Sequence, residues 1–445
     1  MHYKAVLTLM GGVLIHLTLG TLYTASNLTT YVISYLHVVK QEKAIDSTLS
    51  PWIFALQSLG QAASMILGGV LQHALGIKWA MFIGCFLVSL STLGGYYAVN
   101  NYFVLCATYG VLFGLGVGIA YSSPMTAAMK WLPNHRGLAN GFIVLGFGLG
   151  SLIFNYVETF VINPNNAKPI PDPTSATSEK FFPFDVAERT PRVFLVLGIC
   201  YMTLQCIGWL LISEPNEEEK KMLEEESKPL QTEQETLMES PRPQGMTPKE
   251  AAKTSRFWEI WLVLMFVSIA NNFVSSFYKF FGQSFIENDL FLVTVGSVSA
   301  ICNGFCRLLW GMINDRWGYK KAMGSMLMGF CVFIGTFSLS KFGGKWMFLV
   351  WVCGLYGCIG GAFAMVPTYV DRTFGSEYFG TIYGLTFTSI IISSLVGAFF
   401  VSAMVRRIGV LGISISMALL IFASFLLTVI PKDWSYRDRR DTNPV

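Results

Sequence analysis

Gly311-Met-Ile-Asn-Asp315-Arg316-Trp-Gly318-Tyr-Lys320 separates two apolar runs, and 242 positions earlier Gly69-Val-Leu-Gln-His-Ala-Leu-Gly76-Ile-Lys78 separates two others. The agreement extends further along the chain. Gly114, Gly118 and Pro124 correspond to Gly357, Gly361 and Pro367 at an offset of 243, and Gly141 corresponds to Gly384 at 243 again. Nearly one offset held across three apolar runs marks an internal duplication. The quoted stretch suits a tight connection between membrane helices. Its glycines permit a sharp turn and close helix approach, and Asp315, Arg316 and Lys320 can form charged contacts that hold one face of a bundle shut and then release it. The first copy keeps Gly69 and Gly76 but carries His73 and Ala74 where the second has Asp315 and Arg316. It therefore offers a weaker latch. Gly69, Gly311, Asp315, Arg316 and Lys320 are the expected gating residues.

The flanking composition names the solvent. Of 445 residues 53% are hydrophobic and only 13% are charged, about half the charge of a soluble domain. Disorder and an ordinary soluble enzyme are excluded, and a net charge of +4 is too small to point to nucleic acid. A bilayer core about 30 Å thick takes roughly 20 apolar residues per helix. Twelve stretches qualify, near 5–36, 51–73, 78–98, 102–129, 137–161, 192–213, 257–285, 291–313, 321–340, 345–370, 378–404 and 408–430. They are continuous rather than alternating, so they are helices and not barrel strands. The first is too long and too polar for a cleaved signal peptide. The expected fold is all-α and integral to the membrane, with twelve helices in two six-helix bundles. The N-terminal bundle covers 1–213, a solvated linker 214–256, and the C-terminal bundle with a short tail 257–445. The linker reads as a tether, and a cytoplasmic partner could dock there.

With both ends placed in the cytoplasm, cytoplasmic segments hold 19 Lys and Arg and the outer loops ten. That bias sets the expected orientation, with Arg406 and Arg407 as exceptions on the outer face. The plasma membrane is the expected location, an organelle membrane the alternative. All nine cysteines fall inside apolar runs, so neither a disulfide framework nor a metal site is expected. No cofactor is expected either. No nucleophile–base pair or phosphate-cradling motif is present, which argues against an enzyme.

The Gly311…Lys320 stretch resembles the loop signature of the major facilitator superfamily. Within that superfamily the chain is similar to the oxalate/formate antiporters and the monocarboxylate transporters. The similarity runs through Gly11–Tyr23, Gly114–Pro124, Lys130–Gly141 and Arg307-Leu-Leu-Trp-Gly311. It covers the membrane body and leaves out the two long loops, 162–191 and 214–256.

Arg307 stands out on physical grounds alone. It lies about 7 Å from the midpoint of its run at 1.5 Å per residue, where a charge costs at least roughly 2.5 kcal/mol. Gly296, Ala300, Asn303, Gly304 and Gly311 share its helix face, which suits a cavity or a close helix crossing. The carboxylates inside the runs are Glu158, Glu259 and Asp371, all toward the ends, so none is expected to neutralise it. Arg307 could cap helix carbonyls; a substrate anion held by the guanidinium fork is the expected partner. The resemblance implies the same role, since an Arg at this position binds the substrate carboxylate in those families.

Three departures from the family pattern are informative. Asn303 and Asn27 stand where the proton-coupled relatives carry an Asp and a Lys, which argues against proton symport by that route. Ile390 stands where the oxalate carriers have a Lys, which favours a monoanion. Tyr23, Asn27, Tyr121, Asn271, Asn272 and Asn303 are the other candidate substrate contacts; each could instead serve a neighbouring helix. His16 is expected to pack, and Lys279 to extend toward the outer surface. The expected protein is a transporter of small organic anions, most readily monocarboxylates, working by alternating access. Exchange or facilitated transport is favoured over proton symport. A non-transporting sensor on the same fold and an oxalate-type dicarboxylate antiporter are the alternatives.

Overall fold

The computed structural model describes residues 3–132, 136–171, 179–219, 222, 246–375 and 379–430. Most of the expected linker, the tail from 431, and the side chains of His73, Asp315 and Asp371 lie outside the described residues.

The described residues make twelve crossings. The first is α1 (Tyr3–Leu19) and α2 (Ala25–Ser34), joined through a tighter 3-10 turn at Gly20–Thr24. Then come α3 (Pro51–Leu75), α4 (Ile77–Ala98), α5 (Phe113–Trp131), α6 (Arg136–Ile162) and α7 (Thr190–Leu211). The second half has α8 (Ser255–Gln283), α9 (Asp289–Trp317), α10 (Tyr319–Gly335), α11 (Gly344–Phe374) and α12 (Phe379–Val429). At 51 residues α12 would reach about 77 Å if straight, more than twice the apolar thickness of a bilayer. It breaks at Gly409, whose φ of 64° no helix accommodates, and so supplies the last two crossings.

The duplicated motif adopts one backbone twice. Gly76 and Gly318 end α3 and α9 with φ/ψ of 86°/161° and 77°/159°, a left-handed region open to glycine. Each half has its own apolar core, one running from Ile15 to Ile212 and one from Met246 to Ile421. Large apolar side chains such as Ile66, Phe82, Phe86, Leu308 and Phe399 point outward instead, the inversion expected of a surface wetted by lipid. Close crossings use small residues. A Cβ on Gly20 would sit 1.8 Å from the Phe147 carbonyl oxygen, so the first crossing and α6 touch backbone to backbone there.

With an even number of crossings, both chain ends share one face, the terminal face; the opposite face is called distal. The bonds joining the halves gather on the distal side. Lys168 meets Glu287 at 2.6 Å, Asn166 donates to Asn288 at 3.1 Å, and Arg406 pairs with Asp46. That last pair gives Arg406, the exception in the charge count, a partner from the other half. The described ends of the hydrophilic stretch 162–191 are tied to the bundle rather than floating. Ile170–Pro171 and Lys180–Phe181 form a two-stranded ribbon, Phe181 stacks on His37 at 3.9 Å, and Phe182 lies 4.8 Å from Tyr31. On the terminal side the halves stand apart: a Cβ on Gly69, Gly141, Gly311 or Gly384 would meet nothing within 4 Å.

Candidate functional site

A cavity of about 120 Å³ lies between the halves, bounded by the first crossing and by α3, α5, α6, α8, α9, α11 and α12. Arg307 of α9 lines it, and Tyr23, Tyr121, Ser268, Asn271 and Asn272 contribute to its polar lining. The guanidinium is held by Asn303 one helical turn earlier, whose Oδ1 accepts from Nε at 3.3 Å. Asn303 is itself fixed by donating to the Tyr356 carbonyl at 2.9 Å. It thus positions Arg307 and does not line the cavity. The Tyr23 and Tyr121 hydroxyls lie within reach of the same guanidinium. Among the described residues no carboxylate pairs with it.

Ser58, Gln61, Tyr383 and Ser394 add further polar groups, and the rest of the wall is apolar. Phe147 packs edge-on to both Tyr23 and Tyr121, at 5.9 and 5.5 Å, which orients both hydroxyls. His16 supports Tyr121 from behind at 5.2 Å and bonds the Gly12 carbonyl through Nδ1 at 3.1 Å, the packing role expected of it. Phe363, Phe387 and Ile390 line the cavity from α11 and α12. Ser268 Oγ and Asn272 Oδ1 are buried without a partner among the described residues. Buried polar atoms ordinarily find partners, so these two are available to a ligand. Tyr383, which also lines the cavity, escaped the sequence reading; its place beside the duplicated Gly384 is the signal that could have found it.

Asn27 belongs elsewhere. Its Nδ2 donates to Glu158 Oε2 at 2.7 Å, and its Oδ1 accepts from Lys279 Nζ at 2.6 Å. Lys279 does not reach toward a surface. Its side chain is 0% exposed and pairs with Asp289 Oδ1 at 2.8 Å. Asp289 also accepts from Tyr31 and from Asn163. Two expectations are corrected here. Asp289 lies outside the apolar run expected near 291–313, but Asn288 caps α9 by accepting from Phe291 N at 3.0 Å, which starts the helix at Asp289 and draws it inside. Glu158 read as a helix-end acid and is fully buried. The interior therefore does hold acids, although neither pairs with Arg307. Of the gating residues, Arg316 is exposed at the end of α9, and Lys320 lies beside the Arg256–Glu259 pair.

The chain matches the Major Facilitator Superfamily over residues 15–398. It belongs to that superfamily. It is a multi-pass membrane transporter and not an enzyme. It is 28% identical to the apicoplast pyruvate carrier 1 of Toxoplasma gondii, over 94% of this chain and 86% of that one. It is 25% identical to the oxalate:formate antiporter of Oxalobacter formigenes, over 89% and 86%. Among solved structures, the xylose transporter XylE of E. coli in an inward-open conformation superposes with a TM-score of 0.66 at 15% identity, over 96% of each chain. That likeness concerns the fold alone.

Proposed function

We propose that this transporter carries short monocarboxylates by alternating access, with Arg307 gripping the carboxylate. The observation that carries the reading is a half-buried guanidinium in a central cavity, with no acid partner among the described residues and two tyrosine hydroxyls beside it. A planar carboxylate fits the guanidinium fork, and Phe147, Phe363 and Phe387 suit a short apolar tail. Ile390 on the wall offers no second cation, which favours a monoanion over oxalate. The two relatives, a pyruvate carrier and an oxalate:formate antiporter, make pyruvate and formate the first substrates to try.

The terminal face is assigned to the cytoplasm, on the 19-to-ten bias of basic residues. The open glycines then border a cytoplasmic entrance, with Gly69 and Gly311 free to close against their opposite halves. Crossing between states with a bare Arg307 seals an unpaired charge from water, which is costly. A bound anion removes that cost, so counterflow of labelled pyruvate in proteoliposomes is expected to run at least as fast as net uptake. Net uptake clearly outrunning counterflow would refute this reading of the cycle.

A further inference from the structure

Away from the Arg307 cavity the distal seal encloses a surplus charge. Glu158, Lys279 and Asp289 are all fully buried. Lys279 and Asp289 form a neutral pair across α8 and α9 at 2.8 Å. Glu158 in α6 has no cation of its own; its two oxygens meet Asn27 Nδ2 at 2.7 Å and Thr24 Oγ1 at 2.5 Å. The other titratable groups facing it are phenols: Tyr109 from the segment leading into α5, Tyr201 from α7, Tyr278 from α8 and Tyr31 from α2. Among the described residues, two carboxyls therefore share one ammonium in a water-poor site. An isolated buried carboxylate is far costlier than a neutral acid.

The hydrogen bonds fit the neutral form. The Thr24 hydroxyl has one proton and also lies 2.9 Å from the Thr21 carbonyl, which can only accept. When Thr24 serves that carbonyl, Glu158 Oε1 supplies the proton between them while Oε2 accepts from Asn27. Asp289 is arranged oppositely: Lys279 pairs with its Oδ1 at 2.8 Å and Tyr31 and Asn163 both donate to its Oδ2, as suits an ionised carboxylate.

Polar groups also lead from Glu158 toward the cavity. One turn earlier on α6, Asn155 is buried with both side-chain amide atoms unpartnered, and so is the Tyr278 hydroxyl. The two approach over Gly296, where a Cβ would lie 2.1 Å from the Tyr278 hydroxyl and 3.1 Å from Asn155 Nδ2. From Tyr278 the rings of Tyr356 and Tyr23 follow at 6.4 and 6.1 Å, and Tyr23 lines the cavity.

We propose that Glu158 is a proton-binding site of the distal gate: sealing that gate requires a proton on its carboxyl, so net transport moves one proton with each monocarboxylate. The proton binds while the distal side is open, stays through closure, and leaves toward the terminal side past Asn155 and Tyr278. Glu158 is then ionised and favours reopening. The charges balance, one anion and one proton, so net transport is electroneutral. This rests on the carrier reading above, and it replaces the proton route that Asn303 and Asn27 lack.

The test uses the full chain in proteoliposomes with labelled pyruvate. Lowering the pH on one side by one unit is expected to speed wild-type net uptake several-fold. A potassium–valinomycin clamp of the membrane potential is expected to leave that uptake unchanged. Glu158→Gln, neutral at every pH, is expected to keep counterflow within about twofold and to lose the acceleration by acid. Glu158→Gln retaining the wild-type acceleration, or wild-type uptake that follows the membrane potential as an uncompensated anion would, overturns the proposal. A readout without flux covers a variant that folds poorly or a different substrate. Hydrogen exchange of residues 24–31 and 155–163 in the wild-type chain, corrected for intrinsic rates, should show protection lost as pH rises. Protection independent of pH overturns the proton site whatever is transported; absent flux with pH-dependent protection overturns only the carrier reading.

Discussion

Replacing Arg307 with alanine separates binding from folding, because the structure gives the two opposite consequences. A carboxylate held by the guanidinium fork would lose two charge-assisted hydrogen bonds, each about 1.5–3 kcal/mol. Arg307 is half-buried, so the lower figure applies, and the loss is about 3 kcal/mol, or roughly a hundredfold in Kd. Folding is affected differently. The bond given up is a long one, 3.3 Å to Asn303 Oδ1, and no described carboxylate is left stranded. Removing an uncompensated cation from a low-dielectric site also relieves about 2.5 kcal/mol of insertion cost. The ligand-free Arg307→Ala protein is therefore expected to melt no lower than wild type, while the shift produced by pyruvate disappears. Arg307→Lys keeps the charge but not the planar fork and is expected to lose about tenfold, roughly half the free energy. Thermal shift and proteoliposome uptake measure both. An Arg307→Ala protein with an undiminished ligand shift and normal counterflow would refute the site; one that fails to fold would refute the claim that the fold does not depend on the contacts of Arg307.

Ile390→Lys places a second cation on the cavity wall and is expected to move preference from pyruvate toward oxalate in competition uptake; unchanged selectivity would count against Ile390 as a substrate neighbour. Gly20→Val, with its first side-chain carbon 1.8 Å from the Phe147 carbonyl oxygen, must force the first crossing away from α6, and the yield of monodisperse protein in detergent should collapse. Lys279→Met strands Asp289 and is expected to cost about 3–5 kcal/mol, whereas Lys279→Met combined with Asp289→Leu should recover much of it, since an apolar pair often replaces a buried ion pair at little cost. Comparing the melting temperatures of the two variants decides this, and equal losses would show that the pair is not coupled.

Much of the architecture was legible because lipid leaves few choices. Backbone groups in hydrocarbon must bond within their own segment, so every long apolar run had to be a helix, and the offset linking Gly69 to Gly311 and Gly141 to Gly384 paired the halves without any contact being known. Arg307 was legible for the same reason: a charge in an apolar run is conspicuous. The break inside α12 was also readable, because Arg406-Arg407-Ile-Gly409 interrupts an apolar tract too long for one crossing. Tyr23 and Tyr121 could be named but not placed, since helical periodicity gives a face and not the neighbour opposite that face. Asn27 shows the limit. Its residue type and depth suit the cavity equally well, and only the turn at Gly20–Thr24 determines that Tyr23 faces Arg307 while Asn27 faces Lys279.

The Lys279–Asp289 pair was missed for a related reason. Each residue lies near the end of an apolar run, where a charge ordinarily reaches water, and hydropathy treats those ends as surface. Here the distal ends are covered. The ribbon carrying Phe181 and Phe182 packs over α2, with Phe182 N donating to Ser34 Oγ at 3.2 Å and the Lys279 ammonium 5.8 Å from the Phe182 ring. Once that cover is in place, neither Lys279 nor Asp289 can be hydrated, and each becomes the other's counter-ion. The cover comes from Phe181 and Phe182, within a stretch, 162–191, whose Pro and Asn content reads as solvated loop. What sequence could still have supplied is a spacing argument. Lys279 and Asp289 bracket a short connection between antiparallel helices, so a charge near the end of α8 necessarily lies near one at the start of α9. Opposite charges so placed are either two surface residues or one buried pair, and the distinction depends on what lies above them rather than on the residues themselves.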